Sequence, residues 1–243
     1  MSRLQRTLHP TLVCLLIGVA VAACGPRTPP IVAPAVGFPP DFPVAFYSTV
    51  PKASVYRVVP ERSSLALKVY RTGPLAALGH NHVIESHSVD GFIYTADDSA
   101  QSRADLFFPV ASLGVDDAAA RATAGPDFAT QPTAADIDGT RANMLGTKLL
   151  DAAQYPYLVV HVAPNRVEPE SAQVDLSLQV HGRTSTVPVD AVWRRTGDEL
   201  SIQANFSVTH AALGLEPFSA AGGMLRVADQ IDIAVALVAK SVR

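Results

Sequence analysis

Val174-Asp-Leu-Ser-Leu-Gln-Val180 alternates apolar and polar side chains without a break, and this period of two constrains the fold more than any other feature. Successive strand residues point to opposite faces, so Val174, Leu176, Leu178 and Val180 share one face. Leu200–Val208 and Ile231–Leu237 repeat the pattern. Half-buried antiparallel strands carry this signature, one face apolar and one polar. Val55–Val59, Leu65–Tyr70, Gly91–Tyr94, Ala104–Val110, Tyr157–Val162 and Val187–Trp193 are further strand candidates, punctuated by Pro164-Asn165, His181-Gly182, Gly197-Asp198 and Gly222-Gly223. One segment departs from the rhythm. Thr133–Leu150 spaces Ile137, Met144, Leu145 and Leu149 near a helical period, behind a capping-box-like Thr133 and Asp136. Gly139 and Gly146 weaken that helix, and Gly114–Gln131 reads as a loop or a fraying helical turn. About eight strands and a short helical insert predict one all-β antiparallel barrel or sandwich over residues 54–243.

The N-terminus predicts export. Arg3 and Arg6 precede Thr11–Ala23, an uncharged, largely apolar run of 13 residues. A spanning helix needs about 20, so residues 1–23 fit a secretory signal. Val21-Ala22-Ala23-Cys24 resembles the bacterial lipobox, which makes Cys24 the acylated N-terminus of the mature chain. Gly25 follows it, not an aspartate, which by lipoprotein sorting habit points to the periplasmic face of the outer membrane. Gly25–Pro43 holds seven prolines, so residues 24–53 read as a lipidated cysteine on an extended, semi-rigid tether.

Several classes of function drop out. Cys14 lies in the removed segment and Cys24 is acylated, which leaves no thiol for catalysis, metal binding or redox. Loss of Arg3 and Arg6 leaves 17 basic against 22 acidic residues, a net −5. That balance excludes a nucleic-acid partner and assigns membrane attachment to the acyl group itself. Gly-x-Ser-x-Gly and Ser-x-x-Lys are both absent, and Asp97-Asp98 and Asp116-Asp117 read as turn-solvating pairs rather than acid–base groups.

What remains is a cluster of imidazoles. Leu78-Gly-His80-Asn-His82 sets two histidines one residue apart, on one face if the segment is extended. His210 follows the alternating strand that ends near Val208 and precedes a Gly-containing turn, which places it at a rim. Burying such imidazoles unpartnered is costly, so they should meet polar groups, a ligand head, water or a metal. The preferred reading is a polar rim of His80, His82 and His210 at a barrel mouth. The alternative is a histidine-based metal-binding protein or enzyme, with zinc the leading metal, built from the same three residues at the barrel mouth, since three imidazoles and an open position form a known catalytic zinc arrangement.

The C-terminal half adds a family likeness. Leu178-Gln-Val-His181-Gly182-Arg-Thr-Ser-Thr-Val-Pro188-Val resembles the strand–turn–strand signature of the YceI-like family. Asp151-Ala-Ala-Gln-Tyr155-Pro156 is similar to its helix-to-strand junction, Val227–Ile233 to its closing strand, and Tyr56-Arg-Val to its opening. Arg62-Ser63 stands where members usually carry His-Ser, and His210 and Leu213 stand for an arginine and a phenylalanine. The Gly-His-Asn-His stretch marks a subgroup. The resemblance implies a lipocalin-like barrel in the periplasm, enclosing a long apolar ligand of polyisoprenoid or fatty-acid type. The inward faces of the alternating strands, with Leu176, Leu178, Ile202, Phe206, Ile233 and Val235, are then the candidate cavity wall. No cofactor is expected apart from zinc in the alternative reading, and the chain reads as a binding protein first, with an enzyme kept only within that metal alternative.

Overall fold

The computed structural model describes residues 37–242. Along the chain these form α1 (Val44–Thr49), β1 (Val55–Val58), β2 (Ser64–Thr72), β3 (His82–Ser86), β4 (Asp90–Tyr94), β5 (Arg103–Pro109) and β6 (Gly114–Val115). Then come α2 (Ala118–Thr123), α3 (Ala134–Leu145), β7 (Tyr157–Val167), β8 (Ser171–Val180), β9 (Arg183–Thr196), β10 (Glu199–Thr209), β11 (Ser219–Ala220) and β12 (Leu225–Ser241). The order β1-β4-β5-β7-β8-β9-β10-β12 closes on itself through β12–β1, an antiparallel barrel of eight strands. The predicted fold class holds, and closure leaves no free edge around the ring.

Closure depends on a break. β1 and β2 lie end to end along β12, Val58 opposite Ala239 and Ser64 opposite Ala236. Pro60 has no N–H to give the ladder, and the chain steps out through a 3₁₀ turn at Pro60–Arg62. Ser63, almost fully buried, patches the gap: its Oγ lies 2.9 Å from the Val59 carbonyl and accepts the Val238 N–H at 3.1 Å. Past the kink the sheet forks. β1 hands on to β4 and around the barrel, whereas β2 takes β3, and β3 takes β6.

α3 belongs to the apolar cluster that fills this fork, with Met144 and Leu145 among Ile84, Phe108 and Leu113. Its cap is the predicted box, Thr133 Oγ1 accepting the Asp136 N–H at 3.2 Å and Asp136 Oδ2 accepting the Thr133 N–H at 2.9 Å. The helix stops at Leu145, short of the predicted Leu150. Gly146 leaves the helical region there, and a Cβ on it would meet the Ala142 carbonyl at 3.0 Å. Across the ring, His181 and Gly182 both take positive φ in the two-residue β8–β9 hairpin, the pattern of a type I′ turn.

Two expectations are refined. Of the loop or helical turn expected over residues 114–131, the helical alternative holds as α2, capped by Asp117, whose carboxylate accepts from Ala119 and Ala120 N–H, and the short strand β6 is added. The tether assigned to residues 24–53 gives way to packed structure from Phe38 onward. Phe38 and Phe42 stack at 5.1 Å, Phe38 lies 5.6 Å from both Phe92 and Phe107, and Tyr47 is buried against Phe92. This latch lies on the outer face of β4 and β5, and packing Phe38, Phe42 and Tyr47 there outweighs the extended preference that proline confers. The signal segment, Cys24 and residues up to 36 lie outside the described residues.

Candidate functional site

Inside the barrel lies a cavity of about 950 Å³. Leu176, Leu178, Ile202, Phe206, Ile233 and Val235, the six residues expected from alternation, all line it. They are only half-buried although they face inward. A packed barrel covers such positions; here they front a lumen and lack neighbours on one side. Trp193, the only tryptophan, also lines the lumen, with its indole N–H 3.1 Å from the Glu168 carbonyl.

Polar groups collect where β10 ends and β12 begins. His80, His82 and His210 all line the cavity at this end. The register places His82 opposite Val69, Val69 opposite Ile231, and Ile231 opposite Val208, two residues before His210. Three strand spacings separate His82 from Val208, about 14 Å along the curved sheet. The rings therefore line one end of the cavity and do not close on one point. Among the described residues no three His, Cys, Asp or Glu side chains stand together as a metal site, and a zinc site gains no support from the geometry.

The mouth is organised by a carboxylate that the sequence reading passed over. Asp116, assigned to a solvated turn, has a side chain with no solvent exposure. His82 Nδ1 lies 2.6 Å from its Oδ2, and Oδ1 accepts from the Val83 N–H at 2.9 Å and Arg121 Nη1 at 2.5 Å. Burial works to raise the Asp116 pKa, but the bonds from His82, Val83 and Arg121 outweigh it and hold the carboxyl below its usual range. Arg121, itself buried, also donates to the carbonyls of Asn81, Phe128 and Thr130. Asn81 accepts from the Arg71 N–H and donates to the Asp127 carbonyl, both at 2.9 Å. The Gly-His-Asn-His stretch is thus a seam. Asn81 stitches the start of β3 to the following loop, while His80 and His82 turn toward the lumen.

The free faces of these rings set the chemistry on offer. His82 Nδ1 faces a carboxylate and so carries the proton in the neutral ring, leaving Nε2 as an acceptor, 3.4 Å from Thr140 Oγ1. His80 sets Nε2 3.7 Å from Asp136, while its buried Nδ1 has no hydrogen-bond partner. His210, 4% exposed, donates from Nδ1 to the Asp229 carbonyl at 2.8 Å.

The other histidines lie elsewhere. His87 is exposed near the Ser63 carbonyl, and His181 meets the Tyr155 ring edge-on in the β8–β9 turn. His161 is on the outer face with Asp105, a second buried carboxylate that sequence reasoning missed. Asp105 accepts from Tyr47 Oη at 2.5 Å, from Arg103 Nε and Nη2 at 2.8 Å each, and from His161 Nδ1. Burial again works to raise its pKa, and the bonds from Arg103, Tyr47 and His161 bring it below the usual range. Burial and Asp105 together push the Tyr47 phenol far above its ordinary value.

Comparison with known proteins agrees with the architecture. No curated protein matches the chain significantly. BcnA of Burkholderia cenocepacia superposes with a TM-score of 0.52 at 15% identity, covering 74% of this chain and 98% of its own. The YceI protein of Campylobacter jejuni gives 0.44 at 12% identity, over 64% of this chain and 82% of its own. The family model for the YceI-like domain matches residues 56–239, from the opening tyrosine of β1 to the last turns of β12. The chain belongs to the YceI-like domain family.

Proposed function

We propose that this protein is a membrane-anchored periplasmic binding protein for a long apolar or amphiphilic ligand of polyisoprenoid or fatty-acid type. The observation that carries the reading is the lumen of about 950 Å³ walled by aliphatic side chains left half-buried. Ligand pockets range over about 300–1,000 Å³ and are mostly apolar with a few placed polar groups. Each methylene moved from water into such a wall contributes about 0.8 kcal/mol, so a long chain is the ligand that gains most. The tail lies among Leu176, Leu178, Ile202, Phe206, Ile233 and Val235, and the head lies at the rim of His80, His82 and His210. Nε2 of His82 and the unpartnered Nδ1 of His80 are left to accept a hydrogen bond, which favours a head that donates one, such as a hydroxyl. Acylation at Cys24 holds the domain at the periplasmic face of the outer membrane, with the residues before Phe38 as the tether.

Mass spectrometry of the purified mature protein, native and then after organic extraction, tests this reading. A bound lipid that leaves on extraction, and an N-terminal Cys24 carrying acyl chains, are the expected results. A mature protein without lipid that carries a stoichiometric metal instead would replace it with the zinc reading.

A further inference from the structure

The end of the barrel that carries the histidines also carries an apolar surface without a partner. Five large hydrophobic side chains are exposed among the described residues, and three of them cluster here: Leu78 at 74%, Met224 at 48% and Phe218 at 42%. They sit on two adjoining loops. The Leu75 N–H bonds the Met224 carbonyl at 2.9 Å, the Val227 N–H bonds the Phe218 carbonyl at 2.9 Å, and a Cβ on Gly79 would touch Leu225 at 3.0 Å. Leu78 and Phe218 line the cavity as well, so the apolar surface runs from the outside into the lumen.

Charge points the same way. The body is acidic overall, yet residues 71–79 and 217–227 carry Arg71 and Arg226 and no acidic residue. The latch starts elsewhere, on the outer wall: Phe38 packs on Phe107 and Phe92, and Phe92 stands opposite Arg57, itself opposite Lys240 near the end of β12. From Cys24 to Gly37 the chain reaches at most about 45 Å. An acyl group at Cys24 would hold the domain within that reach of the bilayer, where the high local concentration lets a weak contact form.

We propose that the loops bearing Leu78, Phe218 and Met224 form a docking surface for an anionic lipid bilayer, through which the cavity exchanges its ligand. The proposal rests on the apolar-ligand reading for its purpose. The apolar side chains enter the acyl boundary, and Arg71 and Arg226 meet the headgroup phosphates. Seated this way, the mouth opens directly into hydrocarbon, and the ligand tail crosses no water.

The test uses the mature chain from residue 24 carrying Cys24→Ser, so that neither the apolar signal segment nor an acyl group contributes, and sucrose-loaded vesicles of phosphatidylcholine with phosphatidylglycerol. The native loops should sediment with the vesicles, and the Leu78→Ser, Met224→Ser double variant should lose at least about tenfold in partitioning. Arg226→Glu should weaken binding to these vesicles and leave it unchanged on pure phosphatidylcholine. In parallel, quenching of Trp193 by a brominated fatty acid reports cavity filling without a bilayer. Filling without vesicle binding, or vesicle binding that the double serine variant leaves intact, overturns the docking proposal alone. Failure to fill the cavity overturns the ligand reading beneath it.

Discussion

Asp105 and Asp116 are built alike, each a carboxylate with no solvent exposure gripped by one arginine and one histidine, yet they do different work. Asp105 points outward from β5 and fastens the aromatic latch through Tyr47. Asp116 stands at the mouth, binds β3 to the loop that follows β6, and presents His82 to the lumen. Their arginines differ too. Arg103 is about one-third exposed and rests over the Phe46 ring at 4.6 Å, whereas Arg121 is 1% exposed at its side chain. A buried ion pair is not by itself a functional sign. What separates the two is where the histidine stands, lining the cavity for His82 and outside it for His161, whose side chain is 38% exposed.

The largest difference should come from breaking each cluster. Asp116→Asn leaves the Arg121 guanidinium buried without its counter-charge, a loss of about 3–5 kcal/mol. For a domain of this size that lowers Tm by roughly 6–20 °C, measurable by differential scanning calorimetry, and it frees His82 to weaken ligand binding. Tyr47→Phe should cost less, about 1–3 kcal/mol, because Arg103 and His161 still satisfy Asp105. It should speed proteolysis before residue 53 and leave ligand affinity as it was. An affinity that fell with Tyr47→Phe as steeply as with Asp116→Asn would erase the distinction drawn between the two sites.

Acid should act on both clusters. A carboxyl whose folded pKa lies below its unfolded value of about 3.9 contributes stability above roughly pH 4, and that contribution disappears as pH falls through the folded value. Asp105 and Asp116 are both lowered, so acid unfolding followed by circular dichroism should steepen below pH 4. Asp105→Asn should make the remaining transition shallower, a smaller effect than either substitution has at neutral pH. An unchanged slope would mean that the outer cluster contributes nothing to acid sensitivity.

The comparison also explains what a reader of the sequence could and could not find. Leu176, Ile202 and Ile233 were legible as inward-facing because a strand's period of two needs no knowledge of its neighbours. Asp105 sits inside Ala104-Asp-Leu-Phe-Phe108, where alternation assigns it outward. Nothing local reveals that Tyr47 and His161, 58 and 56 residues away, arrive to bury it. Asp116 was hidden in the same way, its partners coming from β3 and α2. The latch left a trace, Phe38, Phe42 and Phe46 spaced by four, but the prolines around them carried the reading toward an extended tether. β6 is two residues long and forms only because β3 offers it an edge, a tertiary cause with no periodicity of its own.

The central claim is that the lumen holds a long apolar chain, and the chain's only tryptophan is placed to report it. Trp193 lines the cavity away from the histidine rim, toward the end where β9 turns into β10. Titration of the delipidated protein with a brominated long-chain fatty acid should quench Trp193 saturably at one ligand per chain. Unlabelled polyprenol should restore the emission, and Tyr47→Phe should leave the curve unchanged. Quenching that stays absent or never saturates, with the protein folded by circular dichroism, would contradict the account.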